Sequence, residues 1–71
     1  MLSPKKLLLT KWTAVAPVAR EKHWVVVKVV APEPPAVKVE EVVLEAVHSG
    51  RSVTLPWRAL KDTGTWRQGW V

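Results

Sequence analysis

Seventy-one residues, 48% hydrophobic and 24% charged, make one small globular domain, too short for a second core and too apolar for a disordered tail. Eleven Lys and Arg against six Asp and Glu give a net charge of +5 and a pI near 10.1, which excludes an acidic spacer. Cysteine is absent, so disulfides, thiolate metal sites and thiol catalysis are excluded.

Residues 1–8, with Ser3, Pro4, Lys5 and Lys6, carry no core pattern and are expected to be a loosely ordered leading segment. Residues 9–71 are expected to form a single small β domain. Leu9 to Val15 is rich in Thr, Val and Trp and predicts a strand that Pro17 ends, with Val18 to Lys22 as a connection. His23 to Ala31 holds five Val and a Trp and is the strongest strand; both of its faces are largely apolar, which places it centrally. Pro32, Pro34 and Pro35 break the chain, since neither a helix nor a central strand survives them.

Val37 to His48 reads two ways. Val39, Val42, Val43, Ala46 and Val47 fit a helical stripe closing on Gly50. Five Val in twelve residues favour a strand instead, with a bulge near Glu40–Glu41 to absorb the broken alternation. His48 to Arg51 is a tight turn in which Gly50 supplies a positive φ. Ser52 to Leu55 is a short strand, Pro56 opens a helical turn through Lys61, and Asp62 to Gly64 closes it. Thr65 to Val71 predicts a last strand with Trp66, Gln68 and Trp70 on one face.

The sum is an all-β fold, a small five-stranded SH3-like barrel with one short helical turn before the last strand. The alternative is α+β, a three-stranded sheet carrying a helix at 37–48. Five Trp with no Phe or Tyr are expected to supply most of the core, each burying on the order of 200 Å².

Charge is unevenly placed. Residues 1–28 carry six basic side chains against Glu21, and residues 49–71 carry Arg51, Arg58, Lys61 and Arg67 against Asp62. Between them, residues 29–48 carry Lys38 against Glu33, Glu40, Glu41 and Glu45. In a small barrel the first and last strands are neighbours, so the basic ends are expected to merge into one patch that attracts a phosphate backbone. Basic residues flank Trp at Lys11–Trp12, His23–Trp24, Trp57–Arg58 and Trp66–Arg67. Adjacent strand residues point to opposite faces, so only Trp57–Arg58, at a turn, reads as a surface platform; Trp70 is the next candidate.

No catalytic constellation stands out. His23 and His48 are too few for a zinc site, and Ser49 beside Gly50 is turn chemistry rather than a nucleophile motif. Glu40 and Glu41 point apart on a strand, and no phosphate-binding glycine loop is present. An enzyme, a metal and a cofactor are therefore not expected. No apolar run reaches the length of a membrane span or signal core, so the expected setting is the cytoplasm, with no membrane partner.

Lys11–Val15, Pro17, Glu21–Trp24, Leu44–Val47, Leu55–Asp62 and Trp66–Trp70, in that order and spacing, resemble a family of short Trp-rich proteins of unknown function from cyanobacteria and marine proteobacteria. The resemblance runs from about Lys11 to Val71, with Leu55 to Trp70 its most specific part. It implies a small cytoplasmic bacterial protein and brings no catalytic residues or partner.

The expected function is a non-enzymatic basic binding module, RNA- or ribosome-associated, that holds phosphates with Lys11, Lys22, Arg51, Arg58 and Arg67 and stacks a base on Trp57. One alternative is a protein-interaction module anchored by Trp57 and Trp70. Another is a self-associating structural protein.

Overall fold

The computed structural model describes residues 6–18, 20–32, 34–35 and 38–71. Five strands form one antiparallel sheet: β1 (Lys11–Ala14), β2 (His23–Val29), β3 (Glu41–Ala46), β4 (Ser52–Pro56) and β5 (Trp66–Gln68). A single 3-10 turn, Trp57–Lys61, stands between β4 and β5. The sheet order is β4-β3-β2-β1-β5, which puts the valine-rich β2 in the middle and the basic β1 and β5 side by side. The fold is all-β. The helical reading of 37–48 is overturned, because Glu41–Ala46 pairs with strands on both sides. The predicted start of that strand at Val37, and Met1 to Lys5 of the leading segment, lie outside the described residues.

One face of the sheet is the core. Trp12, Trp24 and Ala46 lie opposite one another across β1, β2 and β3. Val26, Leu44 and Val53 form the next row, and Val42 pairs with Val29 and Leu55 beyond it. Strand alternation sends all of these to the same side. Trp57 and Leu60 from the 3-10 turn and Leu7 pack against that side. Leu7, assigned by its sequence context to the loose leading segment, is 2% exposed, so the core reaches back past residue 9. It is tied in through Thr10, whose backbone N–H and hydroxyl both donate to the Leu7 carbonyl.

Three expectations need correction. The bulge lies in β2, not at Glu40–Glu41: the register shifts between Val26 and Lys28, while β3 keeps strict alternation with Val42, Leu44 and Ala46 fully buried. The sheet does not close into a barrel, since β4 and β5 remain its two edges. Pro56 has no N–H to extend a ladder, and the chain leaves it directly for the 3-10 turn, whose Trp57 and Leu60 side chains pack into the core. The last strand also stops at Gln68. Gly69, at φ +86°, is left-handed and turns Trp70 out of the row that holds Trp66 and Gln68.

Leu44→Ala, at a fully buried position, is expected to cost about 2–5 kcal/mol. That is most of what a domain this small holds. Val27→Ala, at an exposed position on the bulge, should change stability by under about 0.5 kcal/mol. Urea denaturation followed by indole fluorescence checks both.

Candidate functional site

The other face of the sheet points to solvent. Its rows run Arg67–Thr13–His23 and Lys11–Val25–Glu45–Ser52, followed by Lys28–Val43–Thr54. Residues 69–71 fold over one corner. Thr13, only 2% exposed, is the fastener: its hydroxyl donates to the Gly69 carbonyl (2.7 Å) and accepts from the Val71 N–H (3.1 Å). His23 Nε2 lies 3.1 Å from the Val71 backbone oxygen, so the tautomer protonated at Nε2 donates to it. Gly69 N–H donates to the Lys11 carbonyl at 2.7 Å.

This fastening lays Trp70 on the outer face. Its Nε1–H donates to the Trp24 carbonyl at 3.1 Å, its ring stacks on His23 with centroids 5.5 Å apart, and Lys11 Nζ stands 4.7 Å from its centroid. The ring keeps its outer part in solvent, since Trp70 is 44% exposed. Arg67 is diagonal to Lys11 across the β1–β5 pair, a spacing of about 7–8 Å between Cα atoms. Neither β1 nor β5 contains a carboxylate. The acidic Glu41 and Glu45 sit on β3, two strands or about 10 Å from β1, roughly one Debye length at physiological salt. The corner therefore sets two cations, Lys11 and Arg67, beside the rings of His23 and Trp70.

Of the seven candidate residues, Lys11, Arg67 and Trp70 come together here. The other four stand elsewhere. Trp57 is 8% exposed and belongs to the core, so it is no surface platform; Arg58 and Lys61 flank its ring at 5.2 and 4.9 Å. Arg58 pairs with Glu40 at 2.7 Å beside the far edge, with both side chains more than half exposed. Such a pair contributes about 0–1 kcal/mol. Lys22 is exposed ahead of β2 with the parity of Trp24, and so does not join the outer face.

Arg51 is a structural clamp. Glu21, in the β1–β2 connection, is buried, and a buried carboxylate needs full pairing. Arg51 Nη2 donates to Oε1 at 2.7 Å and Nε to Oε2 at 2.9 Å, while the Ser49 hydroxyl donates to Oε2 at 2.6 Å. Both partners come from the β3–β4 loop, so the pair ties two connections together. Arg51 also lies 5.6 Å over the Trp24 ring, whose Nε1–H donates to the Glu21 backbone carbonyl at 2.7 Å. The hydrogen bonds from Arg51 first, and from Ser49 next, hold the Glu21 carboxyl at about 2 instead of its ordinary 4.5, against the opposite pull of burial. The same bond raises Arg51 above its ordinary value.

Thr13, His23 and Gly69 were not singled out as functional from the sequence. The available signal was Gly69 itself: a glycine inside a predicted strand marks a place where alternation stops. Among the described residues, no group of three His, Asp or Glu converges as a metal site, and no helix is long and apolar enough to cross a membrane.

An open five-stranded sheet with an indole-packed inner face and a cationic, aromatic corner outside defines a small all-β tryptophan-rich domain. The chain belongs to the tryptophan-rich protein family DUF2389, a family of unknown function whose model matches residues 10–71. No curated protein and no solved structure matched it.

The depressed Glu21 carboxyl predicts an acid sensitivity with a definite sign. Its contribution to stability is complete above about pH 4.5 and is lost as pH falls toward about 2. Unfolding midpoints taken across that window should fall more steeply for the native chain than for Glu21→Gln, and parallel curves would remove the clamp from the account.

Proposed function

We propose that this protein is a non-enzymatic binding module that takes single-stranded RNA on the outer corner of its sheet. The observation that carries the reading is the juxtaposition of a half-exposed indole, Trp70, with Lys11 at 4.7 Å and Arg67 on the neighbouring strand, on two strands without a carboxylate. An aromatic ring stacks a base of any identity for about 1–3 kcal/mol, and the flanking cations hold phosphates by counterion release. Trp70 takes the stacking role first expected of Trp57, and Lys11 with Arg67 replaces the wider set of five cations. Three further features belong to the same proposal. The sheet order and the 3-10 turn before β5 support reading the fold as an SH3-like barrel left open at one seam. The setting is the cytoplasm, where RNA is at hand. The chemistry is recognition alone, with no reaction assigned.

Fluorescence anisotropy with a labelled ten-nucleotide oligouridine tests the reading. Two phosphate contacts predict a slope of log affinity against log salt of about −1.4. Trp70→Ala should weaken binding about tenfold or more, and Arg67→Glu should weaken it and flatten the slope. Arg58→Ala should leave it unchanged. Absent or salt-independent binding would sink the proposal.

A further inference from the structure

A second site lies on the opposite side of β5. Between that strand and the 3-10 turn runs an open groove of about 1070 Å³. Its apolar lining is Trp12, Val15, Leu60 and Trp66; Lys61 and Arg67 line it too, and no described lining side chain is acidic. The acidic residue next to it, Asp62, is engaged within its own turn, accepting from Gly64 N–H at 3.0 Å and the Thr65 hydroxyl at 2.9 Å.

The backbone along this groove is an unpaired edge. Gly69 N–H donates to the Lys11 carbonyl and Val15 N–H to the Thr65 carbonyl, so residues 65, 67 and 69 face β1. Residues 66 and 68 therefore face away from it. Trp66 N–H turns back to the Asp62 carbonyl at 2.9 Å. The Trp66 carbonyl and both backbone groups of Gln68 are left directed into the groove. Row after row, these are the groups an added strand uses.

We propose that the groove accepts an extended, acidic segment of a partner protein as a sixth strand on β5. Backbone hydrogen bonds to Gln68 and Trp66 would set its register. Its alternate apolar side chains would lie on Leu60 and Trp66, and its carboxylates would meet Lys61 and Arg67. A second copy of this chain is the poorer occupant. Two β5 edges paired about a two-fold axis would bring Arg67 and Lys61 against their own images. This inference does not rest on the RNA reading, which concerns the outer corner, and the two sites share Arg67 at their border.

The test is a titration of the ¹⁵N-labelled full chain with a blocked ten-residue peptide of alternating Glu and Val. The expected result is a shift of the amides of residues 66–69 and about tenfold slower hydrogen exchange at Gln68. Gln68→Pro, which removes the outward N–H from an edge position, and Lys61→Glu should each weaken the peptide about tenfold, while Lys11→Glu should not. If Gln68→Pro fails to fold, Lys61→Glu decides alone. The proposal is overturned if the 66–69 amides do not move up to about 1 mM peptide, an affinity below which no specific site is in question. It is also overturned if an alternating Lys and Val peptide binds as well, or if Lys11→Glu weakens binding as much as Lys61→Glu.

Discussion

The indoles of Trp12 and Trp24 lie opposite each other on the inner face, and Trp66 reaches the same cluster from β5 by passing over Ala14, its small partner in register. Trp24 and Trp66 meet edge to face with centroids 5.9 Å apart. This cluster lets a sheet with only one covered side hold together at this chain length. Each buried indole removes about 200 Å² from water, on the order of 5 kcal/mol in transfer terms. Two of the rings also satisfy their own N–H groups, Trp12 to the Thr10 hydroxyl and Trp24 to the Glu21 carbonyl. Trp57 is the exception: its Nε1 is buried without a partner among the described residues, a cost accepted for filling the seam between β4 and the rest of the core.

With one face consumed by packing, everything that meets solvent follows from which residues alternation places on the other. Lys11, His23 and Arg67 get there because Trp12, Trp24 and Trp66 beside them point inward. Trp70 gets there by a different route. Gly69 interrupts the alternation, and Thr13, buried under residues 69–71, holds the interruption in place with two hydrogen bonds. The outer corner and the open edge of β5 are thus two consequences of one short strand that ends early.

Much of the fold was legible in the residues. The valine density of His23–Val29 and Glu41–Ala46, the prolines between them, Gly50 in its turn (φ +75°) and Pro56 ahead of a helical turn all act locally, and local chemistry can be read from sequence. The site was less legible. Arg51 and Arg58 read as free cations, but one neutralises a buried carboxylate thirty residues earlier and the other pairs with Glu40. Trp57 sits at a turn, where exposure is the usual expectation, yet the turn folds across the sheet seam and carries the ring inside. Closure into a barrel also failed to follow from strand count, because it depends on the edges meeting, and Pro56 and the brevity of β5 keep them apart.

The core and the outer corner both depend on how the five indoles are sorted between the two faces. Incorporating 5-fluorotryptophan and measuring the solvent isotope shift of each ¹⁹F resonance, assigned by single Trp→Phe substitutions, reads that sorting directly. Trp70 should show the largest shift and Trp66 an intermediate one, with Trp12, Trp24 and Trp57 close to none. A Trp57 resonance as solvent-sensitive as that of Trp70, or a Trp70 resonance as protected as that of Trp12, would contradict it.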